Sequence, residues 1–295
     1  MLGRYGYEVD DRAAPLGRGR HCIVKLATST RHAPHRKVAI KIVNGTPTAA
    51  KEAEILFRLN HENVVEIFDY FVHNDRAYIV LALAENGNLR TFVRQRARIG
   101  QALVRKFLRQ VFDAVTYLHD TAAVAHCDLK SENILVDADE DLKISDFGLA
   151  VELGHRLSKE CDSQDTLDKS SETPTGSSND LINCHKNVSS RADSGTILLG
   201  GSPSYAAPEI LDGCPAVDLR AADVWSAGVI AFYILTTYLP FGCHGSKNIR
   251  EAMNMPLRWP RPLRQITKAS RTFVQSVLVV EPSQRPTARE AFGLI

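Results

Sequence analysis

The chain changes its hydrophobic period once, near residue 85, and that change limits the folds open to it. Residues 6–84 read mainly as strands with one helix among them. Residues 36–43 (RKVAIKIV) are apolar and β-prone, residues 64–71 and 77–83 repeat the signal, and Asn74-Asp75 supplies turn chemistry between those two. Residues 49–59 instead space Ile55, Leu56 and Leu59 as a helix does. From residue 89 the pattern is mostly helical. Residues 101–119 put Leu103, Phe107, Leu108, Val111, Ala114, Val115 and Leu118 on one face, and residues 224–235 are apolar nearly all round, as a buried helix is. Strands gathered at one end of a chain and helices at the other predict an α+β, bilobal molecule. The small β-rich lobe covers residues 8–84, the larger helical lobe residues 85–292, and the hinge lies near residues 81–85.

Composition limits the setting. With 295 residues, 44% hydrophobic and 24% charged, the chain can bury an ordinary core. A net charge of +2 gives no bulk attraction to nucleic acid or to an anionic membrane, so neither is expected as a partner. The N-terminus lacks a hydrophobic run of signal-peptide length, and the longest apolar stretch, residues 224–235, is interrupted by Ser226 and Gly228. The expectation is a soluble, cytoplasmic protein of open oligomeric state. Cys22, Cys127, Cys161, Cys184, Cys214 and Cys243 form no C-x-x-C pair, which argues for reduced thiols rather than zinc or disulfides. Residues 154–194 are rich in Ser, Thr, Asp, Asn and Lys and hold no aromatic side chain. Such a segment cannot bury enough surface to offset its ordering entropy, and a disordered insert is expected there.

The chemistry concentrates in two short segments. His126-Cys127-Asp128-Leu129-Lys130-Ser131-Glu132-Asn133 is followed, thirteen residues after Asn133, by Asp146-Phe147-Gly148. A carboxylate to handle a hydroxyl proton (Asp128), a lysine to meet phosphate (Lys130), and an amide and second carboxylate to hold a hard cation (Asn133, Asp146) are the parts phosphoryl transfer needs. Upstream, Gly17-Arg18-Gly19-Arg20-His21-Cys22-Ile23-Val24 offers two glycines whose backbone N–H groups can approach phosphate closely. It precedes a strand holding Val38-Ala39-Ile40-Lys41. On the helix after that strand, the spacing selects Glu52 as the partner of Lys41, with Glu54 as the alternative on another face. Only eleven positions separate Lys41 from Glu52, so the connecting loop must be short.

Taken together these segments resemble eukaryotic protein kinases of the serine/threonine type, over about residues 8–292. The glycine loop is similar to G-x-G-x-x-G-x-V, residues 126–133 to H-R-D-L-x-x-x-N, and Asp146-Phe147-Gly148 to D-F-G. Ser202-Pro203-Ser204-Tyr205-Ala206-Ala207-Pro208-Glu209, Asp223-Val224-Trp225-Ser226 and Leu239-Pro240-Phe241 look like the calcium/calmodulin-dependent and AMP-activated group. The resemblance implies an ATP- and Mg²⁺-dependent enzyme that phosphorylates Ser or Thr of protein substrates. It implies Asp128, Lys130, Lys41 and Glu52 as catalytic residues and Asn133 and Asp146 as metal ligands. Val24 and Ala39 would sandwich adenine, with Leu16, Gly17, Gly19, Asn88 and Leu135 also around the nucleotide. Leu81 would be the gatekeeper, and the backbone of Ala82 and Ala84 would meet the adenine edge. Supporting roles fall to Ser202, hydrogen-bonding Asp128 and Lys130; to Glu209, pairing with Arg285; and to Asp223, holding the catalytic loop from below. Glu132 would receive a basic substrate residue upstream of the phosphorylated position. Asn88 and Tyr233 stand where a second acid usually helps it.

The departures from the family pattern carry expectations of their own. Cys22 replaces the third glycine, Ser131 a proline, and Cys127 the arginine that usually faces an activation-segment phosphate. The place of the phosphorylated residue falls near Leu198, with Thr196 two residues off. Both halves of the switch are absent together, so activity without activation-segment phosphorylation is expected. The alternative function is a pseudokinase scaffold that binds ATP or protein. Lys41, Glu52, Asp128, Asn133 and Asp146, all present, argue against it.

Overall fold

The computed structural model describes residues 2–10, 12–19, 22–31, 35–96, 99–154, 202–214, 217–241, 249–260 and 266–295. The expected insert beyond Gly154, Thr196, Leu198, Cys161, Cys184 and Cys243 lie outside the described residues.

Six strands make the first sheet: β1 (Tyr7–Val9), β2 (Gly17–Arg18), β3 (Cys22–Ser29), β4 (Arg36–Asn44), β5 (Ile67–His73) and β6 (Arg76–Ala82). They pair antiparallel in the order β1-β3-β4-β6-β5, with β2 alongside β3. The central strand β4 is covered on both faces, which is why 38–41 is buried throughout rather than alternating. Val38 and Ile40 pack with Leu2, Tyr7, Ala27, Tyr78 and Val80 on one face. Ala39 and Lys41 point to the other, opposite Leu81 and Ile79 in register.

Helix α1 (Thr46–Arg58) starts one residue after β4 ends, and that residue is Gly45 at φ 105°. This answers the short spacing noted above: the loop is a single glycine in a conformation L side chains rarely adopt. Pro47 fits the first turn, where no N–H is needed. Ala49, Glu52, Ala53, Ile55 and Leu56 then form the buried face. The strand expected from residue 64 begins only at Ile67. Val64 instead makes an isolated parallel bridge to Ile144, and Val65 N–H donates to the Ile144 carbonyl, so this stretch ties the sheet to the helical lobe.

The helical lobe holds α2 (Leu89–Gln95) and α3 (Gln101–Asp120). Four short strands follow: β7 (Val124–Ala125), β8 (Ile134–Val136), β9 (Leu142–Ile144) and β10 (Val151–Glu152). Next come α4 (Pro208–Leu211), α5 (Leu219–Thr236), α6 (Ile249–Met253), α7 (Lys268–Val277) and α8 (Ala288–Gly293). By length and hydropathy α5 passes for a membrane span, yet it is the core helix, buried almost throughout and packed on α3 and α7. Its N-terminus is capped by the Asp218 carboxylate, which accepts the Arg220 N–H at 2.9 Å. Gly228 lets it approach the end of α7: a Cβ there would stand 2.8 Å from both Val277 Cγ1 and Leu278 Cδ2. One apolar cluster runs from Ile55, Leu56, Ile79 and Leu81 through Phe147 and Leu118 to Trp225, so both lobes share a core.

Candidate active site

The thirteen-residue spacing between Asn133 and Asp146 is a hairpin. Strands β8 and β9 pair Ile134 with Ile144 and Val136 with Leu142, and Asp137 Oδ1 closes the turn by accepting the N–H groups of Asp139 and Asp141. The ladder continues past the strands: Ser145 donates its N–H and its hydroxyl to the Asn133 carbonyl, both at 2.8 Å. Two segments far apart in sequence are thereby set side by side. Pairing of β7 with β10, Ala125 opposite Val151, brings the start of the catalytic loop against the residues after Gly148.

Within the loop, Asp128 Oδ2 accepts from Lys130 Nζ at 2.5 Å and from Asn133 Nδ2 at 2.9 Å. Asn133 Nδ2 also reaches the Asp128 carbonyl at 3.0 Å. The amide nitrogen is therefore engaged, and the amide oxygen is the group left to face a cation. His126 bridges the two segments. Its Nδ1 accepts the Asp128 N–H at 3.2 Å, which puts the ring proton on Nε2, 3.1 Å from the Ser145 carbonyl. Its ring packs on Phe147 with centroids 4.8 Å apart.

Lys41 reaches into the same place from the sheet. Its Nζ donates to Glu52 Oε1 and Oε2 at 2.7 and 2.8 Å and to Asp146 Oδ1 at 2.7 Å. Glu52, not Glu54, is the partner. Burial disfavours the charged lysine, but Glu52 and Asp146 outweigh it and raise its pKa. Burial raises Glu52 and Lys41 opposes it, while for Asp146 burial is overcome by Lys41 and the carboxyl is held below its ordinary range. One cation thus faces two carboxylates. Asp146 is the one open to the cleft, its side chain 44% exposed, and it sits at φ 67°, a left-handed conformation that Asp tolerates. No group of three or more His, Cys, Asp and Glu side chains suited to a metal occurs among the described residues. A cation here would have the Asn133 amide oxygen and the Asp146 carboxylate as hard oxygen donors. That donor set fits Mg²⁺ and not a zinc centre.

Of the residues expected around a nucleotide, Gly17, Val24, Ala39 and Leu81 share the face of the sheet that carries Lys41. Val24 lies opposite Lys41 and Gly17 opposite Val24, while Ala39 lies opposite Leu26 and Leu81. Leu16, 51% exposed, precedes β2 and donates its N–H to the Val24 carbonyl. Gly19 N–H donates to the Cys22 carbonyl, and Cys22 Sγ fills the space beside Gly19, 2.7 Å from where a Cβ would be. At the hinge, the Ala82 N–H is already donated to the Glu66 carbonyl and the Ala84 carbonyl accepts from Gly87. Adenine contacts there would have to use the Ala82 carbonyl and the Ala84 N–H. Leu135 lies on β8 in an isolated bridge with Asn88, whose side chain caps α2 by accepting the Thr91 N–H.

The expected supports behave unevenly. Asp223 accepts the backbone N–H of His126 at 2.7 Å and of Cys127 at 2.9 Å, with His119 Nε2 at 3.0 Å. Arg285 grips Glu209 through two nitrogens at 2.8 and 3.2 Å and also donates to the Ala221 and Val279 carbonyls. The Ser202 hydroxyl, by contrast, bonds neither Asp128 nor Lys130 among the described residues; its carbonyl accepts the Tyr205 N–H instead. Lys130 closes directly on Asp128 without it. Glu132 is not waiting for a ligand either: Arg90 Nη1 donates to its Oε1 at 2.7 Å. The sequence reading missed this arginine because nothing local marks which side of a short helix faces a loop forty-two residues away.

Residues 11–293 match the family model described as protein kinase domain. A calcium/calmodulin-dependent protein kinase of Metarhizium anisopliae is 31% identical over 294 residues, covering 95% of this chain and 65% of that protein. Testis-specific serine/threonine-protein kinase 2 of Mus musculus is 34% identical over 254 residues, covering 82% and 59%. Calcium/calmodulin-dependent protein kinase type 1 of Macrobrachium nipponense is 29% identical over 290 residues, covering 94% and 72%. The chain therefore spans between 59% and 72% of the length of these relatives.

Proposed function

This chain belongs to the protein kinase domain family, and from that premise we propose that it transfers the γ-phosphoryl group of ATP to serine or threonine hydroxyls of protein substrates. The observation that carries the reading is the meeting of Lys41, held by Glu52, with Asp146, beside the bonded set Asp128, Lys130 and Asn133. Neither cluster has a packing reason to combine those residue types.

Asp128 is the group that orients the acceptor hydroxyl and takes its proton as the oxygen bonds to phosphorus and the bridging P–O bond breaks towards ADP. Its Oδ2 is engaged by Lys130 and Asn133, so Oδ1 is the atom that faces the hydroxyl. Lys130 needs only to turn from Asp128 to meet the γ-phosphate. Lys41 binds the α/β-phosphates, and Glu52 fixes its direction. Asn133 and Asp146 hold Mg²⁺, which when bound spreads the charge that develops on the phosphate oxygens. Gly17, Gly19 and Leu16 cover the phosphates and base from above, and Val24, Ala39, Leu81 and Leu135 enclose adenine.

Turnover of ATP and Mg²⁺ on a serine/threonine peptide library tests this, wild type against Asp128→Asn. Phosphorylation by the wild type that Asp128→Asn lowers by roughly a hundredfold or more supports the reading; equal background in both sinks it. The same assay addresses the missing phosphate switch. With Cys127 in place of an arginine, we propose that activity does not need activation-segment phosphorylation. Loss of activity both in Thr196→Ala and after phosphatase treatment would remove that proposal.

A further inference from the structure

The ion pair between Arg90 and Glu132 bears on what this site accepts. Glu132 stands four residues after Asp128 in the same loop, and on the kinase reading it borders the path of a peptide whose hydroxyl reaches Asp128.

Both oxygens of Glu132 are already occupied. Arg90 Nη1 holds Oε1 at 2.7 Å, and Oε2 lies 3.0 Å from Ser131 Oγ and 3.2 Å from the Tyr205 hydroxyl. Those two hydroxyls are themselves 2.7 Å apart. Arg90 is not a loose surface side chain laid on a carboxylate. Its backbone is pinned from two sides: its N–H donates to the Ser131 carbonyl at 3.1 Å, and its carbonyl accepts from the Tyr233 hydroxyl at 3.1 Å. The first turn of α2 is thereby fastened to the catalytic loop, and the guanidinium is aimed before any peptide arrives. Arg94 stands one helical turn along the same face, is exposed, and makes no ion pair among the described residues. Burial raises the pKa of the Tyr233 hydroxyl while Arg90 and then Arg94 oppose it, so both arginines are near that ring. Arg90 neutralises Glu132, and Arg94 adds a second cation near the Tyr233 ring.

We infer that Arg90 occupies Glu132 as a built-in basic residue and that Arg90 with Arg94 makes the groove select an acidic side chain upstream of the phosphorylated Ser or Thr. This rests on the kinase reading and refines its substrate class. It also reverses the expectation that Glu132 receives a basic substrate residue. A basic side chain would have to displace an arginine that is held in place and would meet a second one behind it.

The test is a positional peptide library, with Asp, Ala or Arg upstream of the acceptor, assayed with the full chain, Arg90→Ala, Arg90→Glu, Arg94→Ala and Asp128→Asn. The pair is half-exposed, its side chains 37% and 36% accessible, so each change of a single charge acts by about two- to fivefold in kcat/KM. The expected result is an acidic preference in wild type, a shift towards Arg in Arg90→Ala, a larger shift in Arg90→Glu, and a loss of acidic preference in Arg94→Ala. Urea midpoints close to wild type keep these variants interpretable as folded protein. A wild-type preference for Arg, or a profile unmoved by both arginine variants, overturns the inference alone. No phosphorylation above the Asp128→Asn background overturns the kinase reading and the inference with it.

Discussion

Asp223 holds Cys127 in a left-handed conformation: Oδ1 accepts the Cys127 N–H at 2.9 Å while the residue sits at φ 63°. The other oxygen takes the His126 N–H at 2.7 Å, so one buried carboxylate fixes two successive peptide units just ahead of Asp128. Such a backbone persists only where its surroundings over-determine it.

Removing that carboxylate leaves two buried N–H groups without acceptors. Asp223→Ala is expected to lower stability by about 3 kcal/mol or more, since hydrogen bonds to charged groups are worth roughly 1.5–3 kcal/mol each. Urea unfolding measures this. Turnover should fall further than the folded fraction explains, because the Asp128 position relaxes.

Gly45 sits at φ 105°, a conformation glycine adopts freely and other residues do not, with open space where a Cβ would stand. A Cβ there meets no neighbour, so Gly45→Ala isolates the backbone term, about 1–3 kcal/mol. Thermal denaturation should show that loss, and the KM for ATP should rise as Glu52 shifts from Lys41.

Lys41→Met takes the only cation from between Glu52 and Asp146. Breaking a buried pair from one side costs about 3–5 kcal/mol, and that loss should shrink towards acid pH as Glu52 takes up a proton. The double variant Lys41→Met/Glu52→Gln should recover most of the stability and none of the activity. Equal destabilisation in single and double variants would show that the cost is not electrostatic.

Acid sensitivity has a local contributor at the β8–β9 turn. Burial works to raise the Asp141 carboxyl, but hydrogen bonds from Lys106 and Gln110 and the charges of Lys106 and Lys143 overcome it and lower the pKa below 3.8. A carboxylate whose folded pKa is depressed contributes stability above its unfolded pKa and loses it as pH falls through the folded value. Asp141→Asn should therefore be less stable than wild type at neutral pH and converge on it as pH falls through the lowered folded value. With side chains more than a third exposed, the gap should stay under about 1 kcal/mol. Urea midpoints across pH 3–7 check it.

Local pattern made the fold class and the residues that meet at the candidate site legible for specific reasons. The period of the apolar residues exposed α3 and α5, and the Asn133–Asp146 spacing is legible because a hairpin makes sequence distance equal to geometry. The choice of Glu52 over Glu54 was readable because helix phase fixes which side chain turns inward. Other features were hidden. Val64 looks like a strand residue and instead bridges to Ile144, because its partner is a tertiary neighbour. Ser202 was given a bond that Lys130 makes without it. Arg90 and His126 act through groups that only folding brings near, the Ser131 carbonyl for one and the Ser145 carbonyl for the other.

The single-residue connection between β4 and α1 has a mechanical consequence. A lever swings only if its pivot offers enough rotatable bonds, and here the pivot offers the two torsions of Gly45. Helix α1 therefore follows the strand that carries Lys41 almost as one rod with it. Drawing Glu52 several ångströms away would mean unwinding the first turn at Thr46 rather than rotating an intact helix. Control that works by swinging this helix has little slack to use in this chain, and control of substrate access has no such restraint.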